Sequence, residues 1–340
     1  VAQYSSIIFV ENFKELHIIK NYFAKNSKTG VVNLMKGEKY IDANNFYNSN
    51  FATDNGAGIS LFNVDNCNVM SSKINNNYAL QSGGAICANE IKVMLQFINM
   101  EMSNNIAKEG AAFFFSKINK MFHQNCSYIK NNATSPTQFQ GGILTVEHAI
   151  YISINDSYFY QNTAFGSGGG MHITSTEFVM IGTSIFENNK VDQDGGAVFA
   201  SLVKVINLLS VIFDHQISQK NGGAIYLIGT QSQSVIAIFN VNFTANTAAE
   251  SAALCVESTI NIIIDHSYFS ENHAMSKASA LSIDVSSSIS TNIYITFCSF
   301  VNNVAKQQSA VIVISGATFT DLNNTDIHDT NTKNVIILHS

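Results

Sequence analysis

The chain has no arginine, no tryptophan and a single proline, Pro136; at 12%, its charged residues are about half the usual globular share. The 18 basic residues are therefore all lysine, and against 24 acidic ones they leave a net charge of −6. That sign excludes the electrostatic footprint of a nucleic-acid binder and offers no attraction to an anionic membrane. Lysine without arginine, beside abundant asparagine and isoleucine, fits an AT-rich genome. The five cysteines (Cys67, Cys87, Cys126, Cys255 and Cys298) form no CxxC and no paired spacing. Such a set makes neither a disulfide framework nor a zinc site, and reads as small buried hydrophobes with room for one disulfide. No apolar run approaches the ~20 residues a membrane span requires. The chain opens on VAQYSS, without a secretory leader pattern, and ends on the strand-like NVIILHS. Both ends read as cut from a longer parent protein.

What is present is a repeat. An aromatic or aliphatic residue at Tyr47, Ile74, Met102, Ile129, Phe159, Phe186, Phe213, Phe243, Phe269 and Phe300 is followed three positions later by Asn50, Asn77, Asn105, Asn132, Asn162, Asn189, Gln216, Asn246, Asn272 and Asn303. Background asparagine content cannot place the same residue type in one register this often. A pair of small residues follows, from Gly56-Ala57 through Gly195-Gly196 and Gly222-Gly223 to Ala252-Ala253 and Ala278-Ser279. The period is 27 residues over Phe159, Phe186 and Phe213 and lengthens to about 30 where linkers grow. Phe23 and Asn26 echo the same step weakly.

Each period holds about three short apolar segments separated by turns, such as AVFA (197–200) and VKVINL (203–208). Their period-two alternation and β-branched content make them strands. Most boundaries lack the Asn-Gly signal of a tight hairpin. Stacking each period in parallel on the last pairs every strand with its equivalent ~4.8 Å away and lines one continuous core. The expected fold is all-β, a right-handed parallel β-helix of the pectin-lyase-like kind, with roughly ten to twelve coils of about 27 residues. In it the aromatic positions stack inward. The Asn column forms a buried amide ladder that satisfies turn backbone groups, and the glycines permit positive φ and close approach between coils.

Phe186-x-x-Asn189 with Gly195-Gly196-Ala197-Val198, and Phe213-x-x-Gln216 with Gly222-Gly223-Ala224-Ile225, resemble the FxxN/GGA[ILV] repeats of the chlamydial polymorphic outer-membrane proteins. The resemblance covers about residues 47–312. It implies a passenger-like β-helix displayed outside the cell, serving adhesion or surface structure.

Parallel β-helices also carry polysaccharide lyases and hydrolases, so the carboxylates need inspection. No Asp-Asp, His-Gly or Arg-x-Lys element of the polygalacturonase-like hydrolases occurs. Asp192 and Asp194 share one turn, read as solvated. Asp214-His215 and Asp265-His266 sit in different registers of the repeat, without a serine or cysteine in register beside them. The nine histidines show no metal-ligand spacing. The expectation is therefore no catalytic residue, no metal and no cofactor. Sequons occur at Asn125, Asn132, Asn155, Asn242 and Asn323. Asn132, as a ladder member, is expected to be too buried for a glycan, which leaves Asn155, Asn242 and Asn323 as the candidates.

One body over 1–340 follows: irregular coils or a cap over 1–45, regular repeats over 46–316 and a degenerate coil over 317–340. The functional expectation is a non-enzymatic extracellular or cell-surface module, a rigid stalk or adhesin-like scaffold. Its partners would be another protein or a glycan, met by linkers such as Thr134–Gln140 and Ser286–Thr291. The alternatives are a carbohydrate-active β-helix or a catalytically dead, glycan-binding relative of one, and a subunit stacking end to end in a surface filament.

Overall fold

The computed structural model describes residues 6–135, 141–229, 234–257, 261–285, 291–307, 310–317, 319–328 and 334–339. Of the linkers singled out above, 136–140 and 286–290 lie outside them. The first coil is made of β1 (Ile8–Ile19), β2 (Tyr22–Ala24) and β3 (Ser27–Lys28). Each pairs in parallel with its equivalent one turn on: Val32–Ala43, Phe46–Asn48 and Phe51–Ala52. Among the described residues, repetition of this step builds three parallel sheets of 19, 12 and 11 strands. The molecule is an all-β parallel solenoid of about 11 turns, with coils of ~27 residues.

Counting coils from the long-sheet strand that opens each, the first begins at Ile8, the fifth at Phe113, the seventh at Met171, the eighth at Val198, the ninth at Ile225 and the twelfth at Ala310. In the first six coils that opening strand runs unbroken for 12 or 13 residues. It bends at one left-handed residue: Asn12, Lys36, Asn63, Glu90, Lys117 and His148 in turn. From the seventh coil the same corner, now Ser175, splits it into Met171–Thr174 and Phe178–Gly182. The sequence expectation of three strands per coil therefore understates the first strand, which turns a corner without losing its pairing.

A further left-handed column explains the glycines. Gly56, Gly83, Gly110, Gly168, Gly195 and Gly222 have φ of 55–75°, a region that costs other L-residues about 1–2 kcal/mol. Gly195 brings the turn back over its own strand: a Cβ there would lie 2.3 Å from Val198 O. The second glycine has a different task. A Cβ on Gly196 would lie 2.0 Å from Gly223 O in the next coil. Pairing of Ile225 with Leu254 makes Ser251-Ala252, not Ala252-Ala253, the equivalent of Gly222-Gly223. The left-handed corner thus persists past residue 250, held by Ser251 at φ 55°.

One apolar cluster runs through the interior from Ile18 to Ile314. Its spine is a stack of rings from Tyr128 through Phe159, Phe186, Phe213, Phe243 and Phe269 to Phe300, with centroids 4.3–5.2 Å apart. Each ring buries an apolar side chain for about 1.5–3 kcal/mol and adds roughly 0.5–1.5 kcal/mol of ring–ring contact. Residues 8–43 already carry this geometry, with Phe23 stacked on Tyr47 at 5.1 Å.

Candidate functional site

The recurrent asparagines form one buried column at the corner between the second and third sheets. Asn189 shows the unit. Its Oδ1 accepts the backbone N–H of Asn162 (3.1 Å) and the Asn162 amide (2.9 Å), while its own Nδ2 donates to Phe159 O (2.9 Å) and to Gln216 Oε1 (3.0 Å). Both amide protons and both carbonyl lone pairs are used, which is what full burial demands. The column includes Asn50, Asn77 and Asn105, extends back to Asn26 and forward through Asn246 and Asn272 to Asn303. At Gln216 the pattern bends. Its longer side chain donates to Phe186 O and to Asp214 O, and only its backbone N–H reaches Asn246.

The fifth coil corrects the sequence register. Tyr128, not Ile129, pairs with Phe159, and Asn131, not Asn132, receives the amide of Asn105 (3.0 Å) and donates to Asn162 (3.2 Å). Asn132 faces outward and is half-buried. Adjacent Asn131-Asn132 beside adjacent Tyr128-Ile129 fit two registers equally. The inward alanine two residues past the ladder decides: Ala133 pairs with Ala164.

A second polar column, at the corner between the first and second sheets, escaped sequence reading. Ser72, Ser157, Ser184 and Ser267 each offer Oγ to the backbone N–H one coil before, from Asn45, Cys126, Ser157 and Val241 (3.0–3.3 Å). Cys126 and Cys298 occupy the same column, their thiols directed at Gln124 O and Thr296 O. A small polar residue or a cysteine stands two places before Tyr128, Phe159, Phe186, Phe269 and Phe300, but Val211 and Val241 stand there before Phe213 and Phe243, so the sequence pattern is broken. All five cysteines are free and buried. Burial pushes the thiols up, to about 12 for Cys87, Cys126 and Cys255 and about 11 for Cys298, so none is a nucleophile at neutral pH.

The acidic candidates separate. Asp192 is exposed, but Asp194 is fully buried, contrary to the solvated-turn reading. Its Oδ1 accepts the backbone N–H and the amide of Asn221, each at 3.0 Å, and its own N–H reaches Ser167 Oγ. It is a corner-binding group like the ladder amides. Asp214-His215 and Asp265-His266 lie at different corners, each imidazole Nδ1 bound to the preceding carboxylate at 2.8 and 2.7 Å, with both rings exposed. No group of three or more His, Cys, Asp or Glu among the described residues is placed to hold a metal ion. A shallow cavity of about 160 Å³ at the long-sheet bend is lined by Lys36, Glu38, Asn63, Asp65 and Lys92. Its charges are of both signs, and Lys92 pairs with Asp65 at 3.4 Å.

Three buried titratable groups were not anticipated. Asp42 is fully buried and accepts from Tyr40 Oη (2.7 Å), Tyr47 Oη (2.5 Å) and Ser72 Oγ (2.7 Å), a carboxyl ringed by three hydroxyl donors. An aspartate at an inward position of an alternating strand, YIDA, is its sequence signature. His123 lies among Phe97, Phe113 and Phe115 with Nδ1 bound to the Tyr128 hydroxyl. Burial brings it down to about 3. His172 stacks on Phe199 at 4.7 Å on the outer side of the long sheet, and burial brings it down to about 4.

The sequons also separate. Asn125, Asn242 and Asn323 are exposed. Asn155 is half-buried, its Nδ2 on Ser153 Oγ (2.9 Å) and its Oδ1 in the space above Gly182. Among the described residues no helix is long and apolar enough to cross a membrane.

No curated protein and no solved structure matches the chain. A family model does: residues 183–201 match the Chlamydia polymorphic membrane protein (Chlamydia_PMP) repeat. The matched span holds Phe186, Asn189, Gly195 and Gly196, so the ring, the ladder amide and the two glycines whose contacts are given above are the features in common. Through this one repeat, the chain is similar to the chlamydial polymorphic membrane protein family.

Proposed function

We propose that the chain is a non-catalytic β-solenoid rod of a cell surface, a rigid scaffold that carries its exposed faces and linkers outward to another protein or to a glycan. The observation that carries this reading is the fate of the repeated residues. Phe186, Asn189, Gly195 and Gly196 are consumed by coil-to-coil contact, and so is Asp194, one of the two acidic side chains of that turn, while Asp192 stays exposed. A rod needs such residues in every coil, whereas an active site would need carboxylates that converge on one coil and stay accessible. The match to a polymorphic membrane protein repeat supports the surface setting.

The test has two parts. Surface biotinylation of the source cell should label the protein without permeabilisation; labelling only after lysis overturns the location. Incubation with a panel of acidic and neutral polysaccharides, with calcium present, should yield no new reducing or unsaturated ends. Turnover of any member overturns the non-catalytic reading.

A further inference from the structure

The second half of the long sheet presents its outer face in columns that follow the solenoid axis. One column reads Glu15, Lys39, Asn66 in the first coils and Tyr151, Phe178, Val205, Val235 from the sixth to the ninth. The chemistry changes along a fixed structural position. In the first coils the face is charged and paired, Lys39 on Glu15 at 2.7 Å. From the sixth coil it is mainly apolar, with Phe178 44%, Leu209 52%, Phe239 38%, Tyr294 37% and Phe319 49% exposed; Asn207, Asn261 and Asn292 interrupt it, and Asp265 continues the column of Leu209 and Phe239. Single exposed apolar residues need no explanation, but a contiguous strip on a flat parallel sheet does.

We infer that this strip is the interface of a side-by-side dimer of two copies of this chain, packed face to face with their solenoid axes antiparallel. The argument is self-complementarity. A two-fold axis lying along the strands between Val205 and Val235 sets each column against itself and the fifth coil against the twelfth. Val205 then meets Val235, and Leu209 meets Phe239, apolar on apolar. Met180 meets Ile263, which stand one coil further from the axis on either side. The bulky Tyr294 meets the small Ser153. The charges obey the same operation: Lys120, at one end of the strip, comes beside Asp321 of the other copy at the opposite end. No like charges are set opposite one another by these pairings.

Size agrees. Eight coils, the fifth to the twelfth, at ~4.8 Å by five residues at ~3.3 Å give a footprint of about 38 by 16 Å. Two copies together remove roughly 1,200 Å² from water, the low end of the range for a specific interface, so the dimer is weak and reversible. The occupant is thereby distinguished from a ligand read by charge, which a strip this poor in charge would not attract.

Sedimentation velocity on the purified chain over a concentration series decides it. The wild type should shift from monomer to dimer as concentration rises. Val235→Lys, an exterior change on a sheet face, should weaken dimerisation at least ~10-fold. The double variant Val205→Glu/Val235→Lys should restore it, because each lysine then faces a glutamate of the other copy. Circular dichroism should show the same β signature in all three chains. A chain monomeric throughout the series, a dimer indifferent to Val235→Lys, or a monomer that instead binds a neutral polysaccharide through this strip would each overturn the proposal. The rod reading would stand in any of these cases, since it depends on the interior ladders.

Discussion

At the scale of the residue, a ladder amide is a group with no spare valence. Removing the Asn189 side chain takes the acceptor from the Asn162 backbone and side-chain N–H groups and the amide donor from Phe159 O, and leaves Gln216 Oε1 with the Asn189 backbone N–H alone. Asn189→Ala should therefore cost about 1–3 kcal/mol, read as a fall in the urea midpoint. The fifth coil gives an internal control: Asn131→Ala should cost as much, whereas Asn132→Ala should stay within about 0.5 kcal/mol. The buried imidazoles predict the acid limit. Folded His123 and His172 titrate near 3 and 4, below the unfolded value near 6.5. Between those values the unfolded chain binds the extra protons, so stability present above pH ~6.5 is lost as pH falls, at up to about 1.4 kcal/mol per pH unit for each histidine. Chemical denaturation from pH 7 to pH 4 should show this decline. His123→Phe should flatten it, even though the Tyr128 hydroxyl loses its partner and stability at pH 7 drops.

At the scale of the element, the coil is defined by its corners. The two glycines of each pair look alike in sequence and do different things, one supplying a left-handed dihedral and the other leaving room for the next coil's carbonyl. Gly196→Val drives a branched side chain into Gly223 O and should cost about 1–3 kcal/mol or more. Ser251→Gly should act in the opposite sense, raising thermal stability by about 0.5–1 kcal/mol, because the left-handed corner persists where glycine has been lost. A differential melt of Ser251→Gly beside Gly222→Ala would show the two shifts with opposite signs.

At the scale of the molecule, each coil touches only its neighbours, so the solenoid is modular in units of one turn. Thr183 and Ser210 are equivalent left-handed corners, adjoining the paired residues Gly182 and Leu209. Excision of Ser184–Ser210 joins one to the other's successor. It places Phe213 on Phe159 and Gln216 on Asn162, and should leave a folded, cooperatively melting rod one coil shorter. Excision of Ser184–Gly196, about half a turn, breaks every column at once and should abolish folding; circular dichroism separates the two outcomes.

The sequence by itself determined the solenoid, because a buried ring, a buried amide and a glycine corner must recur wherever a coil stacks on a coil. It could show Phe186, Asn189 and Gly196 as scaffold for the same reason. The ring and amide pattern alone did not choose between Asn131 and Asn132, since a one-residue slip preserves composition; Ala133, paired with Ala164, and Tyr128, paired with Phe159, break the tie. Nor could it find the serine column, the burial of Asp194 or the hydroxyl-ringed Asp42, because these depend on what lies one turn away, about 27 residues off. The apolar strip from Tyr151 to Phe319 belongs to that same class. Its members are scattered singly along the chain, and only stacking gathers them on one face.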